Sequence, residues 1–93
     1  MFEIKSKEDR LILCGRLDAS QVDKAIDILN QVEGTTTIDL SELEYVSSAG
    51  LGVLVATQKR LMDKGGSLQL VNLTPHVRSV FHYASLNKIF PLD

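Results

Sequence analysis

The sequence has little of what most enzyme chemistry and most membrane or nucleic-acid binding require. Its single cysteine, Cys14, lies inside the apolar run Leu11-Ile12-Leu13-Cys14 and has no second thiol to pair with, so a reducing compartment is the simplest setting. No His or Lys adjoins it, and it reads as a buried, inert thiol. No apolar run approaches the roughly 20 residues that cross a bilayer. The chain starts directly in an alternating pattern, Met1-Phe2-Glu3-Ile4-Lys5, rather than in a basic segment followed by a long apolar one. The expectation is a cytoplasmic protein without membrane insertion. A net charge of −2, read as both signs interspersed along the chain, offers no basic field, so direct nucleic-acid binding is not expected.

Convergent reactive groups are missing as well. His76 and His82 lie six apart on a predicted helix and face different directions, and no cysteine or carboxylate cluster completes a ligand set, so no metal site is expected. Asp39, Glu42 and Glu44 flank a predicted strand and read as a solvated loop edge, too loosely spaced to argue for an acid/base pair. Gly50-Leu51-Gly52 lacks the third glycine of the dinucleotide fingerprint and the Gly-Lys-Ser/Thr ending of a phosphate loop. Ser48 has Val46 two positions before it, not the glycine of a nucleophile elbow. The reading is of a protein that is not an enzyme and holds no cofactor.

What is present describes one α/β domain over residues 1–93, with 44% hydrophobic residues to build a single core. Phe2 and Ile4 alternate with Glu3 and Lys5 as a short strand, and Lys7-Glu8-Asp9 turns the chain into a second strand, Arg10 to Leu17, that closes a hairpin. Gly15 interrupts that strand where a bulge or close backbone contact is expected. Asp18-Ala19-Ser20 then reads as a helix start, with Ser20 and Asp23 spaced as a capping box. Val22, Ala25, Ile26 and Leu29 recur at helical spacing as the buried face of this first helix. Thr35 to Leu40 forms a third strand rich in β-branched residues, and Ser41-Glu42-Leu43-Glu44 a polar connection with Leu43 pointing inward.

Leu51, Leu54, Val55, Leu61 and Met62 share one face of a second helix, with Gln58 on the same stripe, and Lys64-Gly65-Gly66 stops it. Ser67 to Val71 reads as a fourth strand. Thr74 caps a third helix with Pro75 at its first position, and Val77, Val80, Phe81 and Ala84 mark its apolar face. Leu86, Ile89, Phe90 and Leu92 form a tail that packs back on the domain. The sum is a mixed sheet of four to five strands with helices packed on it.

The stretch Tyr45 to Leu54 concentrates the functional interest. It places Ser47 and Ser48 where a strand gives way to a helix, beside Gly50 and Gly52, which are read as packing the helix start tightly against a neighbouring loop. A helix N-terminus presents unpaired N–H groups that a serine oxygen can cap or a phosphate can approach, and Ser48 is open to both roles.

Four segments carry a resemblance to a known family: Gly15-Arg16-Leu17-Asp18, Ile38-Asp39-Leu40-Ser41, Val46 to Leu54, and Val71 to Val77 with the closing Leu86-Asn87-Lys88-Ile89-Phe90. Over nearly its full length the chain resembles the STAS domain of bacterial anti-sigma factor antagonists, also called anti-anti-sigma factors. The resemblance implies a domain that binds an anti-sigma factor that is also a serine kinase, thereby releasing a sigma factor for transcription. Phosphorylation by that kinase would break the complex and a serine phosphatase would restore it. The family's acceptor serine precedes the first glycine of the Gly-Leu-Gly segment by two positions, which is Ser48 here, with Ser47 as a minor alternative. Where the family has Asp-Ser-Ser/Thr-Gly, this chain has Ser47-Ser48-Ala49-Gly50. Asp18 matches a family motif position near the acceptor, where it would orient the hydroxyl or simply cap the first helix. The partner-binding region implied by the resemblance is Asp18, Ser47, Ala49, Gly50 and Gly52. The same resemblance also admits a constitutive STAS adaptor in a larger assembly, such as a lipid-transport complex.

Overall fold

The computed structural model of the protein describes residues 1–90. Strands β1 (Phe2–Lys7) and β2 (Arg10–Leu17) form the expected antiparallel hairpin, with Glu8 in the left-handed region at φ 56° at its turn. A 3-10 turn (Ala19–Gln21) leads into α1 (Val22–Leu29). Then follow β3 (Thr36–Val46), α2 (Ser48–Met62), β4 (Leu68–Val71), α3 (Pro75–Tyr83) and a second 3-10 turn (Leu86–Lys88). The sheet order is β1-β2-β3-β4, with β2/β3 and β3/β4 parallel, so it is a four-stranded mixed sheet.

The strand period of two sends Leu13 and Leu17, Ile38 and Leu40, and Leu68 and Leu70 to one side, where they meet Ala25, Leu29, Leu54 and Leu61 of the helices. Each of these six strand residues is at most 3% exposed, whereas their outward neighbours Arg16 and Gln69 are exposed. One face of the sheet is thus packed and the other meets solvent, as alternating strands require. The tail closes the core as expected: Phe90 meets Phe81 edge-to-face at 5.7 Å. Leu92 lies outside the described residues.

Several expectations change. β3 does not stop at Leu40 but continues through Ser41-Glu42-Leu43-Glu44 to Val46, because β2 offers a parallel partner (Cys14 to Glu42, Gly15 to Leu43, Leu17 to Val46). Register shifts between Ile12 and Cys14 and between Gly15 and Arg16 absorb the extra residues. Leu43 points inward, 1% exposed, as expected. Gly15 adopts φ 90°, and a Cβ there would lie 2.1 Å from the Met1 carbonyl oxygen, which accepts a hydrogen bond from Arg16 N–H.

The capping box of Ser20 and Asp23 does not form; Gln21 precedes α1 without a side-chain cap, and Asp18 caps the 3-10 turn instead. In α2 the stripe Leu51, Leu54, Gln58, Leu61 is buried, joined by Val53 and Thr57, but Met62 is 57% exposed and Val55 only half-buried. Ile26 and Ala84 are also exposed rather than buried, since both face gaps beside α2.

Candidate functional site

The N-terminus of α2 is built where two parallel strands end together. Leu17 closes β2 and Val46 closes β3, and the Leu17 carbonyl accepts a hydrogen bond from Ser47 N–H at 2.9 Å. Ser47 has extended backbone (φ −86°, ψ 171°), and its Oγ accepts from Gly50 N–H at 3.1 Å while its carbonyl accepts from Leu51 N–H at 2.8 Å. These are the bonds of an N-cap. Of the two serines it is therefore Ser47 that caps the helix.

Ser48 is the first residue of the helix proper. It is exposed, and its hydroxyl makes no hydrogen bond among the described residues. The two roles open at the sequence level are thus divided between neighbours, with the cap on Ser47 and a free hydroxyl on Ser48. Ala49 beside it is also exposed.

Gly50 is required by packing. A Cβ there would lie 2.7 Å from Leu17 Cγ, 2.8 Å from the Leu17 carbonyl oxygen and 3.0 Å from Val46 Cγ2. Only a glycine lets the helix start approach the end of β2 this closely. Gly52 behaves differently from the expectation, since a Cβ there would meet nothing within 4 Å. It leaves open surface on the outer face of α2, where it borders two grooves.

Asp18 follows Leu17 directly, so the same backbone contact that seats Ser47 brings Asp18 to this end of the sheet. Its Oδ1 accepts from Ser20 Oγ at 2.6 Å and from Ser20 N–H at 3.1 Å. The Ser20 hydroxyl, aided by the Ser20 amide, holds the Asp18 carboxyl below the ordinary carboxylate range despite the opposing effect of desolvation. The carboxylate is engaged with Ser20 and caps the 3-10 turn that precedes α1, not α1 itself.

The grooves flank the ridge formed by Gly52 and Ala56. One, of about 420 Å³, lies toward α1 and includes Ile26, Asn30, Val53 and Arg60. The other, of about 430 Å³, lies toward the end of α3 and includes Ser48, Leu51, Val55, Lys59, Ala84 and Leu86. Arg60 is fixed by donating to the carbonyls of Leu29 (2.8 Å) and Val32 (3.0 Å) at the end of α1.

Asp39 is not a solvated loop edge. It is 9% exposed, its Oδ1 accepts from Ser41 N–H at 2.8 Å, and its Oδ2 accepts from Asn72 Nδ2 at 3.1 Å and from Arg10 Nη1 at 3.4 Å. Burial opposes its charge, but these bonds outweigh it and hold the carboxyl below its ordinary value. Cys14 is half-buried, and burial together with the nearby Glu42 pushes its thiol up, away from the reactive thiolate. His76 and His82 are exposed, and among the described residues no group of three His, Cys, Asp or Glu is placed to hold a metal ion. No helix among them is long and apolar enough to cross a membrane.

This arrangement of a hairpin, two parallel strand ends and a capped helix start matches a known family. The sequence profile described as "Mlab, STAS domain" matches residues 1–92. The chain belongs to the STAS domain family. It is 42% identical over 74 residues to BtrV of Bordetella bronchiseptica, a candidate anti-sigma factor antagonist, covering 80% of this chain and 58% of that one. The chain thus spans little more than half of BtrV. It is 30% identical over 97 residues to the anti-sigma-B factor antagonist of Listeria monocytogenes, covering 97% of this chain and 85% of the relative. Among solved structures, an anti-sigma factor antagonist from Mycobacterium paratuberculosis superposes with a TM-score of 0.77 at 25% identity, over 99% of this chain and 83% of that one. The four-stranded mixed sheet with three helices is therefore the STAS fold.

Proposed function

We propose that this STAS domain is an anti-sigma factor antagonist: it binds an anti-sigma factor with serine-kinase activity, releases the sigma factor, and is switched off when that kinase phosphorylates Ser48. The observation that carries the reading is the division of labour at the start of α2. A kinase needs a hydroxyl that it can reach and whose modification leaves the substrate folded. Ser48 meets both conditions, since it is exposed and its hydroxyl makes no hydrogen bond among the described residues. Ser47 meets neither, because it is half-buried and its oxygen closes the helix. The names of the BtrV and Listeria relatives point the same way.

The physical effect of the modification follows from its place. A phosphoserine carries about −1.5 to −2 charges, and at the first turn of a helix the positive end of the dipole accommodates them. The domain stays folded while its docking surface changes. A strongly hydrated dianion must lose water on binding and repels acidic groups of a partner, and a coupling of about 3 kcal/mol would weaken the complex on the order of a hundredfold. A serine phosphatase then restores binding. Ser47, Gly50 and Asp18 act as the frame of the switch, through the cap, the close approach to Leu17 and the anchored 3-10 turn, while Ala49 and Gly52 belong to its exposed surface.

Binding of the cognate anti-sigma kinase, measured by calorimetry, tests this. Ser48→Ala should bind as the unaltered protein does and Ser48→Asp should bind at least tenfold more weakly. Equal binding of both variants, with stable co-purification in a larger assembly, would instead select the constitutive adaptor.

A further inference from the structure

The carboxylates are segregated along the chain, whereas the ten Lys and Arg divide evenly about Tyr45. Ten of the twelve carboxylates lie before Tyr45, whereas from Tyr45 to Phe90 the only one is Asp63. The segments that build the groove between α2 and the end of α3 fall entirely in this second, basic region. Its floor and walls are apolar or small: Leu51, Gly52, Val55, Ala56, Ala84 and Leu86. Ser48 lies at one end and Lys59 at the other, eleven residues apart, which on an α-helix is close to three turns on one face and about 16 Å along the axis. Lys59 is exposed and has no ion-pair partner among the described residues, in contrast to Arg60 on the other groove, which is held by two carbonyls. Gly52 leaves room for close approach, and Tyr83, next to Ala84 in the wall, stands 94% exposed, an aromatic of the kind that anchors interfaces.

We propose that this groove seats an acidic amphipathic helix of about three turns from the partner, its apolar face on Leu51, Val55 and Leu86 and a carboxylate on Lys59. The inference rests on the reading of the domain as an anti-sigma factor antagonist and specifies the chemistry of the partner's contact. It also gives the switch a mechanism, because phosphate on Ser48 puts a dianion at the other end of a groove selected for an acidic ligand. In the groove toward α1 the charged group, Arg60, is committed to the carbonyls of Leu29 and Val32, and that groove is not assigned a role.

The test measures the affinity of the cognate anti-sigma kinase at 50, 150 and 300 mM salt for the unaltered domain and for Lys59→Glu, Lys59→Arg, Lys64→Glu and Ser48→Asp. Lys59→Glu should weaken binding at least tenfold and remove most of the salt dependence, Lys59→Arg should stay within about threefold, and Lys64→Glu, outside the groove, within about twofold. An unchanged affinity for Lys59→Glu alongside a weakened Ser48→Asp overturns the groove and leaves the switch standing. A weakened Lys59→Glu alongside an unchanged Ser48→Asp keeps the groove and overturns the switch. Absence of any binding by the kinase overturns both. A parallel arm with phosphatidylglycerol vesicles covers the remaining source of anionic ligand: Lys59-dependent vesicle binding without Lys59-dependent kinase binding overturns the protein helix as occupant.

Discussion

The two faces of α2 use their polar groups in opposite ways. On the inner face Gln58 is 2% exposed, and both ends of its amide are engaged: Oε1 accepts from Leu68 N–H at 2.6 Å and Nε2 donates to the Ile89 carbonyl at 3.1 Å. It ties the first residue of β4 to the tail. On the outer face Ser48 and Lys59 are polar, exposed and without partners among the described residues. Buried polar groups have to be satisfied within the fold, whereas Ser48 and Lys59 meet solvent beside an open groove and stay accessible. The same helix is thus a structural beam on one side and, on the other, the surface proposed for docking.

This contrast is sharpest where a substitution separates the two sides. Gln58→Leu keeps the volume but strands a buried N–H and a carbonyl, and should cost about 2–4 kcal/mol, read as a lowered urea midpoint with partner affinity per folded molecule unchanged. Gly50→Ala forces a methyl against the Leu17 backbone and should cost about 1–3 kcal/mol; chemical denaturation measures it. Ser47→Ala removes the cap and should cost about 1 kcal/mol, a fall of about 4–8 °C in Tm for a domain of this size. Ser48→Ala should move stability by less than about 0.5 kcal/mol. Were Ser48→Ala to destabilise as much as Ser47→Ala, the division between the two serines would be wrong.

A smaller effect concerns pH. Bonds from Ser41, Asn72 and Arg10 keep the folded Asp39 carboxyl below its ordinary value of 3.8. A carboxyl whose folded pKa is depressed stabilises the fold above the unfolded value and loses that contribution as pH falls through the folded one. Urea unfolding should therefore show stability falling below about pH 4, and Asp39→Asn should flatten that part of the profile.

Much of this fold was legible in the sequence because local signals and packing agree. The hairpin, Thr74 as cap with Pro75 behind it, the Lys64-Gly65-Gly66 stop and the inward Leu43 all carry their cause within a few residues. The mismatches arise where a distant partner decides. Ser41 to Glu44 are strand only because β2 lies alongside, and Asp39 is buried only because Arg10 and Asn72, 29 and 33 residues away, converge on it. The choice between Ser47 and Ser48 as cap turns on a single residue of helix phase, which the Leu17 carbonyl fixes from another strand. The segregation of the carboxylates needed no structure at all; counting them on either side of Tyr45 exposes it.

The claim that Ser48 is the switch residue and Ser47 its structural neighbour is tested most directly by incubating the domain with its cognate kinase and ATP and mapping phosphate by fragmentation mass spectrometry. The account predicts modification at Ser48, abolished in Ser48→Ala and retained in Ser47→Ala. Phosphate on Ser47 with Ser48 bare, or no modification by a kinase verified as active, would contradict it.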